Sequence, residues 1–217
     1  MICSLRKTLL IVFFLLSISL FAVQATRAGS SEAHRVLENT INQVLAELQK
    51  PELKNPTTRK AVLARIEDII DDLFSFEELS MRTVGPYWSS FTPNQKKRFM
   101  DVFETLLREM YLEKLDGYNG EKVSYLGETV SAKGDRVEIR TSVDIKGKPV
   151  PVAYRMLKKS KWEVYDVLIE SVSMVQNYRS QFQDILVKND AEKLIEQVCV
   201  KAEEARTHNK KVATDAR

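Results

Sequence analysis

The chain has 217 residues, of which 44% are hydrophobic, and its 33 lysines and arginines against 30 aspartates and glutamates give a formal net charge of +3. This hydrophobic fraction is large enough for a sizeable core and excludes a generally disordered chain. The length fits one large domain, or one domain with an added subdomain.

The beginning of the chain has the layout of a secretory signal peptide. Arg6 and Lys7 form a short positive segment, residues 8–23 form an apolar run, and small residues after the run offer cleavage sites. An uncleaved membrane anchor is the alternative, but the run is shorter than the roughly 20 apolar residues that a spanning helix needs. We therefore expect residues 1–28 to be removed and the remaining chain to be exported and soluble.

Cleavage changes the charge and the cysteine count. Arg6, Lys7 and Arg27 leave with the leader and no acidic residue does, so the net charge falls from +3 to zero. A neutral protein is a poor candidate for sequence-independent nucleic-acid binding, which needs many uncompensated lysines and arginines. Cys3 also leaves, so Cys199 stands alone and an intrachain disulfide is excluded.

The first half of the domain carries apolar residues at the spacing of amphipathic helices. The predicted helices span about residues 31–49, 56–73, 76–85 and 93–116. Asn55 is a suitable cap for the second helix, whose first position is a proline. Ser75 with Glu78 and Thr92 with Gln95 have the spacing of capping boxes, which predicts where the third and fourth helices begin.

After Gly117 the apolar spacing changes to 2, the period of a half-buried strand. Four strands are predicted, at about residues 122–130, 137–145, 150–156 and 162–170. Short turns join them, including Lys146-Gly147-Lys148, so we predict an antiparallel four-stranded sheet. One face of such a sheet must be covered, and the helices are the available cover.

The last predicted strand is apolar on both faces, which indicates burial on both. We expect a helix to follow at once from about Val172, and another to span about residues 190–205. The polar residues 206–217 are expected to form a disordered tail. The predicted organisation is therefore the leader, a single α+β domain over residues 29–205, and the tail.

The sequence offers little catalytic chemistry. His34 and His208 lie in terminal stretches without partners at metal-ligand spacing, and we expect both to be solvated. The chain lacks a nucleophile elbow and the glycine motifs that bind dinucleotides or phosphates. We expect no metal and no cofactor.

Asp166 and Glu170 are harder to dismiss. Both lie on one face of the last predicted strand, and an acidic group amid apolar neighbours can act as a general base. The alternative is a structural ion pair with Arg155, Arg140 or Arg179. We favour the ion pair, because a single carboxylate also lacks a visible acid partner.

The most informative feature of the sequence is its abundance of large apolar side chains. They recur on the long helix, on the strands and on the helix after the sheet. An ordinary packed core and a lined cavity for an apolar ligand both explain this pattern, and the residues alone do not separate them.

Two signatures together resemble a known family. The first comprises FSFEELS at residues 74–80, Trp88 and TPNQ at residues 92–95. The second is more specific and comprises VAYR at 152–155, WEVYDV at 162–167, IESVS at 169–173 and NYRSQF at 177–182. Over about residues 33–202 the chain resembles the MlaC family, the toluene-tolerance-type periplasmic phospholipid carriers. Ser171 departs from the glycine that is more usual there, at the join of strand and helix.

The resemblance implies an NTF2-like cone with additional helices and an apolar cavity for the acyl chains of a phospholipid. It implies a periplasmic shuttle between an outer-membrane lipoprotein–porin complex and an inner-membrane ABC transporter complex with its substrate-presenting subunit. We expect such a shuttle to be a monomer. Periodicity and resemblance together predict the lipid-binding residues Phe103, Leu107, Tyr111, Val143, Val152, Tyr154, Val167, Ile169, Val172 and Val175.

Arg179 is the candidate contact for the head-group phosphate, because a guanidinium matches phosphate oxygens. Its alternative role is an ion pair with Asp166 or Glu170. Two other functions stay open: an enzyme on a small apolar substrate with Asp166 as base, and a periplasmic lipoprotein chaperone. Hopanoid-type cargo is an alternative to phospholipid.

Overall fold

The computed structural model describes residues 31–112 and 118–215. Its helices are α1 (Glu32–Leu48), α2 (Pro56–Leu73), α3 (Phe76–Val84), α4 (Pro93–Leu112), α5 (Met174–Leu186) and α6 (Ala191–Asp215). Its strands are β1 (Val123–Val130), β2 (Arg136–Ile145), β3 (Lys148–Lys158), β4 (Trp162–Ile169) and β5 (Val172–Ser173). The α+β class is confirmed. The predicted signal peptide lies outside the described residues.

The beginnings of the helices show where local sequence decides structure. Asn55 Oδ1 accepts a hydrogen bond from Thr57 N at 3.0 Å, so the predicted cap of α2 is present. The capping box of α4 is also present, because Thr92 N donates to Gln95 Oε1 at 2.9 Å and Gln95 N donates to Thr92 Oγ1 at 3.2 Å.

The capping box predicted at the start of α3 is wrong. The Ser75 side chain makes no cap hydrogen bond, and its backbone N–H donates to Val164 O of β4 at 2.9 Å. Glu78 instead pairs with Arg82 one turn later, at 2.8 Å. A contact with a distant strand therefore overrides the local pattern and ties the start of α3 to the sheet.

The sheet is antiparallel in the order β1-β2-β3-β4-β5, so the prediction of four strands is wrong. The fifth strand is the two-residue segment that pairs Val172 with Ile169 and Ser173 with Leu168. Glu170 and Ser171 take positive φ angles of 49° and 69°, which reverses the chain within two residues. The helix that was predicted to begin at about Val172 therefore begins at Met174.

Irregular pairing occurs at two points in the sheet. One lies in β1, where Leu126 is the extra residue, and the other lies opposite Arg155 and Met156 of β3, where Tyr165 of β4 is the extra residue. A bulge bends its strand and increases the local twist. The inner face of the bent sheet carries Val137, Ile139, Met156, Val164 and Val167, which pack with residues of α1 and the end of α2.

A second core lies among the helices. Phe103 of α4 is fully buried, with ring centroids 5.6 Å from Phe99, 5.0 Å from Tyr178 and 5.4 Å from Phe182. Contacts at these distances include edge-to-face pairs, the geometry that aromatic rings prefer. This core fixes α4 against α5 and leaves the space between α2, α4 and the sheet for the cavities described below.

The helix α6 continues to Asp215. The sequence, in contrast, predicts a disordered tail over residues 206–217. Arg206 Nε donates to Glu109 Oε1 of α4 at 2.9 Å, and Asn209 Nδ2 donates to Glu109 O at the same distance. These two contacts hold the polar end of α6 against α4. Within residues 31–112 and 118–215, none of the helices combines the length with the apolar character that a membrane span requires.

Candidate functional site

Two neighbouring cavities lie between the inner face of the sheet and the helices. The smaller, of about 230 Å³, is bounded by α2, α4 and the strands β3 and β4. The larger, of about 660 Å³, is bounded by α1, α2 and the strands β1 to β3. Ile70, Phe74 and Tyr154 belong to the walls of both, so a single layer of side chains separates the two spaces. The volume of the larger cavity falls within the range of roughly 300–1,000 Å³ that is typical of ligand-binding sites.

Six of the ten residues predicted to line a cavity do so. They are Leu107, Tyr111, Tyr154, Val167 and Ile169 in the small cavity, with Val143 in the large cavity and Tyr154 in both. These residues come from α4 and from three strands, and the antiparallel register sets Tyr154 opposite Val167.

The other four predicted residues lie outside the walls of the two cavities. Phe103 and Val175 are buried in the helical core, and Val152 packs against the core on the sheet. Val172 is 63% exposed, because β5 turns it away from the interior. The structure thus gives these four positions a packing or surface role.

Sequence reasoning missed the wall that α1 and α2 provide. Leu37, Ile41, Val44 and Leu45 of α1 line the large cavity, together with Leu48, Ile70 and Leu73. Their signal in the sequence was the apolar stripe of each helix, from which we predicted amphipathic helices and no cavity wall. A stripe predicts burial against something, and it does not say whether that neighbour is protein or an empty volume.

The small cavity has a charged border. Arg108 of α4 donates to Glu67 at 3.0 Å and to Glu104 at 2.6 Å, and it also bonds Asp71. Arg108, Glu67 and Asp71 all line the cavity, and their side chains are about one-third exposed. One guanidinium therefore faces three carboxylates, so this border has an acidic excess.

Tyr154 is the polar group shared by both cavities. Burial raises the pKa of its phenol to about 12, so the side chain is neutral at physiological pH. Burial also raises the pKa of Tyr111, which hydrogen-bonds Tyr178. Apart from the charged side chains at their borders, the cavity walls therefore present neutral phenols and hydrocarbon, an environment that suits apolar chains.

Asp166 is structural in this arrangement. Its carboxylate is 3% exposed and accepts hydrogen bonds from Ser173 Oγ at 2.7 Å, Val175 N at 3.0 Å and Arg155 Nη1 at 3.2 Å. Of the three candidate arginines, Arg155 is thus the one that pairs with Asp166. These bonds attach the first turn of α5 to β4.

Arg179 lies on α5 against Gly85, at the end of α3. A methyl group added to Gly85, whose φ is +64°, would lie 2.8 Å from Arg179 Nη2. This position explains the glycine, because a larger residue would collide with the guanidinium and strain the backbone. The structure therefore places Arg179 in a contact between α3 and α5.

The fold and the site define an α+β protein with two largely apolar cavities between its sheet and its helices. The sequence profile of the family described as MlaC protein matches residues 38–199. The chain therefore belongs to the MlaC family.

Two relatives and one solved structure illustrate the similarity. The chain is 21% identical over 196 residues to the "Intermembrane phospholipid transport system binding protein MlaC" of Haemophilus influenzae, covering 88% of this chain and 91% of that protein. It is 29% identical over 208 residues to "Toluene tolerance protein ttg2D" of Pseudomonas putida, covering 90% of each. A phospholipid-binding protein from Ralstonia solanacearum, solved in complex with a phospholipid, has the same fold, with a TM-score of 0.72 and 24% identity, covering 81% of this chain and 99% of that one.

Proposed function

We propose that the protein is a periplasmic carrier that holds the acyl chains of a phospholipid in its two cavities. The observation that carries this proposal is the pair of apolar cavities separated only by Ile70, Phe74 and Tyr154. The name of the Haemophilus influenzae relative and the ligand of the solved relative support the same cargo. The sheet, bent by its bulges, is compatible with the NTF2-like cone that we propose for the fold.

Physical chemistry explains why a carrier is needed. Burying one CH₂ group is worth about 0.8 kcal/mol, so two chains with about 30 methylenes face a cost on the order of 24 kcal/mol in water. A lipid monomer therefore almost never leaves a bilayer unaided. A dry cavity replaces one apolar environment with another, so transfer can be nearly balanced without a cofactor or bond chemistry.

The proposed route joins an outer-membrane lipoprotein–porin complex to an inner-membrane ABC transporter complex. Binding alone cannot drive net transport, because a ligand only redistributes between states according to its affinity for each. The direction of transport must then come from the two membrane complexes. A monomeric carrier suffices for this cycle.

The enzyme alternative has less support. Its proposed base, Asp166, is engaged by three hydrogen-bond donors at the junction of β4 and α5. The residues that border the small cavity include Asp71 and Glu67, but both are engaged by Arg108. We therefore propose binding and release of lipid as the activity.

Transfer of a fluorescent phospholipid between vesicles tests the proposal. Ile169 lines the small cavity and is 39% exposed, so Ile169→Asp is expected to fold while placing a charge at the lipid site. We expect this variant to lose most of the transfer. Val187→Asp, at a position 70% exposed beyond α5, is the matched control and should transfer normally. Equal transfer by both variants would contradict the proposed use of the cavity.

A further inference from the structure

We propose that Lys146 holds the phosphate of the bound lipid at the rim of the large cavity. This inference rests on the proposed carrier function and assigns the end of the cavity at which the head group lies. From the sequence, Lys146 was predicted only to be part of a hairpin turn.

The exposed end of the large cavity lies at the turn between β2 and β3. Leu37, at the other end, is fully buried, whereas Ile145 is 43% exposed and Lys146 is exposed. Both Ile145 and Lys146 belong to the cavity wall. A lipid whose chains fill the cavity therefore has its polar end near this turn.

The turn holds Lys146 in a defined backbone conformation. Lys146 has a φ of +54° and is followed by Gly147 at +79°, the pattern of a tight hairpin turn. Asp144 Oδ1 accepts a hydrogen bond from Gly147 N at 2.7 Å, which stabilises the turn. The carboxylate of Asp144 is thus engaged with the backbone.

Three lysines lie at this rim with two carboxylates, Asp144 and Glu121, and each carboxylate accepts a hydrogen bond from a backbone N–H. Lys148 pairs with Ile145 across the hairpin, and Asp144 N donates to Lys122 O, so both lysines lie at the same end of the sheet as Lys146. Among the residues that the structure describes, no carboxylate forms an ion pair with any of the three. An ammonium group without a carboxylate partner is available to a phosphate oxygen.

The two other cations considered for this role are less suitable. Arg108 borders the small cavity, but three carboxylates surround it and would repel a phosphate. Arg179 packs against Gly85 at the end of α3. Among the described residues, Lys146 lies in a cavity wall and has no carboxylate within ion-pair distance.

The test compares two lipids that differ only in the head group. Lipid-free protein is incubated with vesicles that contain phosphatidylglycerol and diacylglycerol with identical acyl chains, and the ratio of the two lipids extracted from the protein is measured. Lys146→Gln removes the charge and should lower the ratio of phosphatidylglycerol to diacylglycerol roughly fivefold, the size of one surface charge contact. High salt should reduce the difference between the two proteins.

Lys133→Gln is the matched control. Lys133 is exposed in the turn between β1 and β2, at the opposite end of the sheet, so its replacement should leave the ratio unchanged. A weaker attraction to the vesicle surface would lower the uptake of both lipids and leave their ratio intact. An unchanged ratio in Lys146→Gln overturns the inference while the carrier function stands. If wild-type protein takes up neither lipid, the carrier function itself fails.

Discussion

Replacing Asp166 by asparagine separates the structural role of this residue from a catalytic one. One carboxylate oxygen accepts from Val175 N, and the other accepts from both Ser173 Oγ and Arg155 Nη1. Asparagine keeps one acceptor oxygen and places an NH₂ group at the other position. That NH₂ group faces either the N–H of Val175 or the guanidinium of Arg155, so a donor meets a donor in either orientation.

The expected cost follows from these contacts. Hydrogen bonds to charged groups contribute about 1.5–3 kcal/mol each, and breaking a buried ion pair costs about 3–5 kcal/mol. Arg155 is 35% exposed and also pairs with Glu138 at 2.9 Å, so solvent and a second partner reduce its share of the loss. We expect Asp166→Asn to lower the free energy of unfolding by about 2–3 kcal/mol. For a domain of this size that corresponds to a fall in Tm of about 5–10 °C.

Urea denaturation followed by circular dichroism measures the change, and lipid extraction from the folded variant measures binding. The control is Glu170→Gln, because Glu170 lies in the adjacent exposed turn and its replacement should change stability by less than about 0.5 kcal/mol. We expect Asp166→Asn to retain bound lipid below its unfolding transition. Unchanged stability of Asp166→Asn, accompanied by the loss of a measurable turnover, would refute the structural role.

Two further predictions concern buried aromatic residues. Phe103→Ala should lower the free energy of unfolding by about 3–5 kcal/mol, because Phe103 is fully buried among Phe99, Tyr178 and Phe182. The folded fraction of this variant should still bind lipid. Loss of lipid at unchanged stability would place Phe103 in the cavity wall instead. Burial raises the pKa of Tyr154 from 10 to about 12, so the unfolded chain loses this proton first, and stability should fall as the pH rises from 10 to 12. The midpoints of urea unfolding between pH 10 and 12 test this prediction, and the midpoint of Tyr154→Phe should fall less with pH than that of the wild type. Equal pH dependence in the two proteins would contradict the prediction.

Local patterns in the sequence predicted those features that local interactions determine. The capping box of Thr92 and Gln95 forms as predicted, because both partners lie within one turn of helix. The box expected at Ser75 fails, because its backbone bonds Val164, which is distant in sequence. The fifth strand was not predicted, because two residues are too few to show the alternating period of a strand.

The candidate site was predictable only in part. Phe103 and Leu107 lie one turn apart on α4 and both belong to the helical core, yet of the two only Leu107 also lines a cavity. The difference depends on whether a neighbouring element fills the space beside each residue, and periodicity carries no such information. For the same reason the stripes of α1 and α2 predicted amphipathic helices without showing that they line a cavity.

Native mass spectrometry of the purified mature protein, followed by organic extraction, shows directly whether the protein carries phospholipid. We expect a complex of one chain with one diacyl phospholipid, and extraction should recover that lipid. Acylated protein in place of free lipid would favour a lipoprotein chaperone. Repeated preparations that contain only the unliganded chain and no extractable lipid would contradict the claim that these cavities carry phospholipid.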